Sequence, residues 1–221
     1  MDIQCWLHDF TDKLMAIFGK RVVFLGLQGS YARGEQTDDS DIDVVVIFDS
    51  LDFETLKTYK QFISSMPCSE KICGFVSGRE ELSAWDKADL FQFYFDTKPL
   101  AGSLDRLIER PGRAEAAKAV HVNVCSLYHM CSHNYLHAAD KDVLKSLYKA
   151  AAFVVRAKYF AENGIYISRF KELSAKSGNE EKEILKIGER IKNDGTVDFE
   201  ADSCRLLTWL SDLERVFGTP E

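Results

Sequence analysis

No apolar run in this sequence approaches the ~20 residues needed to cross a bilayer, so a membrane-spanning chain is not expected. A secretory leader is not expected either. It would need a basic start and an unbroken apolar stretch, whereas Asp2, Asp9 and Asp12 interrupt the opening MDIQCWLHDFTDKL. Positive charge is scarce: 28 Lys and Arg stand against 35 Asp and Glu, for a net charge of −7. That balance excludes the broad basic surface of a general nucleic-acid binder, though not a local basic pocket for a nucleotide. None of the six cysteines (Cys5, Cys68, Cys73, Cys125, Cys131, Cys204) forms a C-x-x-C pair. Without a secretion signal they are expected to be reduced thiols in a cytoplasmic protein. There is no internal repeat and no low-complexity segment.

The 221 residues are 46% hydrophobic and 29% charged, an ordinary globular balance that fits one large domain or two small ones. Pro111-Gly112 is the strongest break, dividing a mixed half, 1–111, from a helical half, 112–221. In the first half, Ile3, Trp6, Phe10, Leu14 and Ile17 recur at helical steps, predicting a helix over 2–18 that Gly19 stops. Two β-rich runs follow, 22–27 and the Val-dense 42–48, the latter suited to a central strand buried on both faces. A helical pattern covers 53–66, and 72–77 and 90–95 read as further strands. The expected class is α+β, an α/β layer with a small mixed sheet. Beyond Gly112 the periodicity predicts about three or four helices, over 114–139, from the N-cap Asp140 to Gly164, and over 201–217, packed as a bundle.

One stretch carries chemistry. Asp41 and Asp43 stand two apart at the head of the Val-rich strand, where alternation points both carboxylates the same way. Side by side they repel, and a divalent cation removes the conflict. Mg²⁺ suits the place, because it takes one or two carboxylates and fills its other positions with water and phosphate oxygens. Gly29-Ser30 follows the preceding strand and opens a short helical turn, Tyr31-Ala32-Arg33. Glycine there lets a ligand approach the backbone closely, the following N–H groups favour an anion, and Ser30 and Arg33 add a hydroxyl and a charge. Asp38 and Asp39 are read only as part of a polar turn with Gly34 and Ser40.

Gly29-Ser30, ten intervening residues and Asp41-x-Asp43 resemble the signature of the DNA-polymerase-β-type nucleotidyltransferase superfamily. Arg33-Gly34 and Ser40 match its fuller form, G-S-x-x-R-G followed by S-D-x-D, typical of minimal and kanamycin-type members. The layout of a small sheet followed by a helical bundle is similar to the antibiotic-modifying members. The resemblance implies ATP or another nucleoside triphosphate as substrate, with Mg²⁺, one ion or two, on Asp41 and Asp43. Gly29, Ser30, Arg33 and Ser40 would bind the nucleotide, Gly29-Ser30 holding its β- and γ-phosphates. A hydroxyl of a small-molecule acceptor such as an aminoglycoside would attack the α-phosphorus in line, releasing pyrophosphate. A homodimer is compatible with the sequence.

This chain departs from the family at the later strand that usually supplies a third carboxylate. It reads Lys71-Ile72-Cys73-Gly74-Phe75-Val76-Ser77, with Glu70 before it and Glu80 and Glu81 beyond it as candidate substitutes, an acid from the helical half being the alternative. Two other functions therefore stay open: an antitoxin-like or protein-modifying regulator, and an inactive nucleotide-binding module. The Arg followed closely by His of the RNases associated with such regulators is absent, so RNase activity is not expected. His121, Cys125, His129, His133 and His137 recur every four residues. His129 and His133 could share a zinc ion, but His129 and His137, ~12 Å apart along a helix, could not. A polar stripe is the favoured reading. Phe91, Phe93, Tyr94 and Phe95 are read as a packed strand.

Overall fold

The computed structural model describes residues 2–38 and 40–218. It divides into two compact units, Met1–Asp86 with Phe93–Arg110, and Lys87–Gln92 with Pro111–Glu221.

In the first unit, helix α1 (Ile3–Phe18) starts where the Asp2 carboxylate accepts from the N–H groups of Gln4 and Cys5, and it ends at Gly19. Strand β1 (Val22–Leu27) follows, then a five-residue helix α2 (Gly29–Arg33), strand β2 (Ile42–Phe48) and helix α3 (Phe53–Ser64). Strand β3 (Ile72–Gly78), the short helix α4 (Arg79–Ser83), helix α5 (Lys87–Asp96) and strand β4 (Lys98–Ala101) come next. The four strands form one sheet in the order β3-β2-β1-β4. β1 is antiparallel to both β2 and β4, while β2 and β3 are parallel and joined through α3. The sheet is mixed because a hairpin-like return can reverse direction cheaply, whereas a parallel neighbour needs a crossover helix.

Side-chain alternation sorts the sheet into two faces. Leu25, Leu27, Ile42, Val44, Val46 and Phe48 join Trp6, Phe10, Leu14, Phe18, Tyr59 and Phe62 of α1 and α3 in one buried cluster. Phe10 meets Trp6 and Phe62 at ring centroids of 5.1 and 5.0 Å, offset and edge-on geometries that aromatic quadrupoles favour. The Trp6 indole N–H donates to the Pro67 carbonyl at 2.9 Å. On the other face Phe24, Val45 and Ile47 are fully buried, and Phe93 of α5 meets Phe75 of β3 at 5.0 Å. That face begins, at its polar end, with Asp43.

The aromatic run at 90–95 is a correction. It is part of α5, and the fourth strand lies just beyond it at 98–101. Leu90, Phe91 and Phe93 are all buried, and Tyr94 and Phe95 are half-buried. A helix apolar on several sides shows no one-sided stripe, so its period is hidden and β propensity dominates the reading.

The second unit is helical. α6 (Arg113–His133) runs into a π turn at Asn134–Ala138, then α7 (Lys141–Asn163), α8 (Phe170–Lys176), α9 (Asn179–Asp194) and α10 (Phe199–Phe217). α6 packs on α7 and α10, and α7 on α9. Trp209 of α10 is 1% exposed, and its indole donates to Glu181, which also pairs with Lys158 at 3.3 Å. Phe91 meets Phe160 at 5.1 Å. The joint between α6 and α7 is tied by Asn134, 2% exposed. Its amide donates to the Asp140 carbonyl at 2.9 Å, and its oxygen accepts from the Asp140 N–H at 3.0 Å.

Asn134→Ala leaves both Asp140 backbone groups without that partner, and urea denaturation should show a loss of about 1–3 kcal/mol; a loss within experimental error contradicts the role. A second expectation concerns pH. The Thr55 hydroxyl and then its N–H donate to Asp52, holding that carboxyl below the usual carboxylate range. A lowered folded pKa means the stabilisation is present above the unfolded value and is lost as pH falls through the folded one. Asp52→Asn should therefore flatten the fall in Tm below about pH 4 relative to the parent chain.

Candidate active site

The site is built at one end of the sheet, where β1 stops and β2 starts. The antiparallel ladder runs one step past β1: the Gln28 N–H donates to the Asp43 carbonyl at 2.7 Å. The Gln28 side chain then donates to the Thr97 hydroxyl at 2.7 Å and the Phe93 carbonyl at 3.3 Å. On the far side of β2, Asp43 is in register with Cys73 of β3. Cross-strand neighbours share a face, so Cys73, Asp43 and Gln28 form a polar row across this end of the sheet, continued by Thr97.

Gly29 turns the chain out of that row with φ of +68°. A Cβ built there would lie 1.8 Å from Asp43 Oδ2. The carboxylate of Asp43 therefore lies against the bare Cα of Gly29, and any side chain at 29 would displace it. Ser30 follows at the start of α2, whose last residue is Arg33.

Asp41 immediately precedes β2 rather than belonging to it. Exposure still alternates through it: Asp41 is exposed, Ile42 fully buried, Asp43 half-buried and Val44 buried. The two acids thus lie on one side of the strand line, with Ile42 anchoring the other.

Arg33 is engaged within the protein. Its Nε donates to Glu35 at 3.1 Å, a guanidinium nitrogen lies 4.0 Å from Asp96, and its side chain is 15% exposed. It fixes the loop between α2 and β2. Ser40 does the same at the loop's other end, its hydroxyl accepting from the Thr37 N–H at 2.9 Å and its N–H donating to the Thr37 carbonyl. Asp38 lies in this turn, and Asp39 lies outside the described residues.

The register sorts the acids proposed to complete the pair. β3 is parallel to β2, so Glu70, in the single turn Ser69–Lys71 before β3, is at the same end as Asp43. Glu80 and Glu81 follow the opposite end of β3, more than ~16 Å along the strand from Cys73. Glu81 is also occupied: its Oε2 lies 2.1 Å from where a Gly78 Cβ would be, closing back on the start of α4. Among the described residues no group of three or more His, Cys, Asp or Glu is arranged to hold a metal. A pair of carboxylates suits Mg²⁺, whose other positions go to water and phosphate oxygens. Cys73 is exposed beside Asp43, and Gly74 follows it with φ of +134°, where a Cβ would lie 1.9 Å from the Val44 carbonyl. The close fit of β3 to β2 therefore requires glycine next to this row.

Gln28 and Thr97 were not visible as site residues. Their contact spans 69 positions of sequence, and nothing local marks either one.

Comparison with known proteins fits this geometry. A family described as "Nucleotidyltransferase domain" matches residues 10–67, from α1 to the turn after α3. A Methanocaldococcus jannaschii protein, named as a candidate protein adenylyltransferase, is 44% identical over 54 residues, covering 24% of this chain and 51% of the relative. The match thus spans about half the length of that curated relative. The crystal structure of spectinomycin adenyltransferase AAD(9) from Enterococcus faecialis, solved with ATP and spectinomycin, superposes with a TM-score of 0.60. It covers 96% of this chain and 99% of its own at 13% identity, a likeness of fold. Residues 10–67, the segment that contains the Gly29 turn, Asp41 and Asp43, thus match a nucleotidyltransferase domain.

Proposed function

We propose that the chain is a Mg²⁺-dependent nucleotidyltransferase that moves AMP from ATP to a hydroxyl of a small-molecule acceptor, of aminoglycoside-like chemistry. The observation that carries this reading is the contact of the Asp43 carboxylate with the bare Gly29 backbone, with Asp41 two residues before it on the same side. The turn at Gly29-Ser30 admits the β- and γ-phosphates close to the main chain, and the adjacent acids face them. Two anionic partners cannot share that space unaided. Asp41 and Asp43 would hold the cation, which when bound neutralises phosphate charge and the charge of the leaving pyrophosphate.

In the reaction the acceptor oxygen forms a bond to the α-phosphorus as the bond from that phosphorus to the bridging oxygen breaks, and pyrophosphate leaves with the electron pair. The hydroxyl proton passes to a carboxylate; Glu70 is the acid that the strand register leaves at this end of the sheet. Arg33 and Ser40 contribute by holding the loop that delivers Asp41, as their hydrogen bonds indicate. The names of both relatives support adenylyl as the transferred group, and the antibiotic bound in the solved neighbour supports a small-molecule acceptor. The net charge of −7 favours the approach of a polycationic drug.

A second reading, modification of a protein hydroxyl, is favoured by one observation: the segment that aligns at 44% identity does so with a relative named for protein adenylylation. Incubation with α-labelled ATP, Mg²⁺, a panel of aminoglycosides, spectinomycin and lincosamides, and a protein extract separates the two. Label on a drug supports the first; label on a protein only supports the second. Nucleotide binding with no labelled product on any acceptor contradicts both and leaves a binding module.

Asp41→Asn combined with Asp43→Asn should lower transfer at least ~100-fold while leaving the thermal midpoint close to that of the parent; normal turnover contradicts the site. Gly29→Ala forces a side chain into a left-handed residue and against Asp43. It should raise the ATP concentration for half-saturation about tenfold or more and cost about 1–3 kcal/mol of stability. Unchanged nucleotide affinity in a folded variant contradicts the close approach.

A further inference from the structure

We propose that His133 and His137, at the exposed end of α6, form a two-imidazole site for a divalent transition-metal ion of the Zn²⁺, Ni²⁺ or Cu²⁺ class. Sequence spacing, with its equal steps of four, does not distinguish this pair from His129 and His133. His129 and His133 are both on the α-helix and their ring centroids are 6.3 Å apart. His133 and His137 are separated by the same four residues, yet their centroids are 4.9 Å apart. Between them the backbone widens into the π turn of Asn134–Ala138, where the Ala139 N–H reaches back to the Asn134 carbonyl at 2.7 Å. Four α-helical residues drift by about 40° around the axis, and a wider turn reduces that drift.

The centroid separation is one that a shared ion allows. A zinc–nitrogen bond of about 2.0–2.1 Å puts each imidazole centroid ~3.2 Å from the metal, so ligand angles between a right angle and the tetrahedral value place the centroids ~4.5–5.2 Å apart. The 4.9 Å pair falls inside this interval and the 6.3 Å pair outside it. Both rings are on exposed residues, so an ion can reach them from solvent. The backbone that carries them is fixed in advance. Asn134 is bound twice to Asp140, and the Tyr135 ring stacks on Phe199 with centroids 6.0 Å apart and planes 4° from parallel. A site on a braced turn loses less conformational freedom on binding than one on a frayed helix end. Imidazole suits Zn²⁺, Ni²⁺ and Cu²⁺, whereas Mg²⁺ prefers oxygen, so this site and the paired carboxylates select different ions. No third His, Cys, Asp or Glu completes it among the described residues, so water fills the remaining positions.

The test uses the full chain without a histidine tag, with excess Mg²⁺ present, titrated with ZnCl₂ and separately with NiCl₂ by calorimetry. One ion per chain should bind with a dissociation constant of about 1–100 µM, as expected for half of a four-ligand site. His133→Ala and His137→Ala should each weaken binding at least ~10-fold, while His129→Ala and the Asp41→Asn/Asp43→Asn variant should bind within about threefold of the parent. Both histidines are exposed, and circular dichroism checks that each variant keeps its helices. The proposal is overturned if the parent binds neither ion below about 1 mM, if the His133 and His137 variants bind as the parent does, or if His129→Ala is as damaging as they are.

Discussion

The carboxylate of Asp43 occupies the space that a side chain at position 29 would fill. Much of the first unit serves that contact. Asp43 is carried by a strand whose neighbours Ile42, Val44, Val45 and Val46 are essentially without solvent exposure, so the strand cannot slide without moving its whole apolar set to the wrong face. Gly29 opens α2 two residues past the end of β1, which is paired on both edges, and the Gln28 side chain ties that end to Thr97. A turn with positive φ, an acid and a polar row are thus fixed by the same hydrophobic register that builds the sheet.

This arrangement gives the charges their meaning. A carboxylate pressed to an unscreened backbone turn is in a poor state to receive a polyphosphate unless a cation comes with it. The loop from α2 to β2 contributes stiffness rather than additional positive charge, because Arg33 is already matched by Glu35 and Asp96. The G-S-x-x-R-G and S-D-x-D motifs are therefore distributed between two tasks. Gly29, Ser30, Asp41 and Asp43 line the end of the sheet, while Arg33 and Ser40 hold the loop that joins them.

Most of the sheet was legible in the sequence, because its central strands are the kind that composition marks clearly. The Val-rich run at 42–48 and the run at 22–27 coincide with β2 and β1, and Gly19, Asp140 and Gly164 cap the helices their residue types suggest. The failure at 90–95 has a physical origin: buried aromatics on several sides of α5 remove the periodicity that distinguishes helix from strand. The acids at 41 and 43 were legible because two neighbouring negative charges at a strand head are unusual without a ligand. What sequence could not supply was register. Only the pairing of Asp43 with Cys73 separates Glu70 from Glu80 and Glu81, and only the distant contact with Thr97 reveals Gln28. In the same way, a π turn that no residue type announces decides which two histidines approach each other.

The central claim is that the end of the sheet at Gly29 and Asp43 is where a nucleotide and its cation meet. A crystal structure with a non-hydrolysable ATP analogue and Mn²⁺, using the anomalous signal to locate the ion, tests this directly. The account predicts manganese coordinated by Asp41 and Asp43, with the β- and γ-phosphates against the Gly29-Ser30 backbone. Manganese held by other groups, or phosphates bound away from that turn while the Asp41 and Asp43 carboxylates stay unligated, would contradict it.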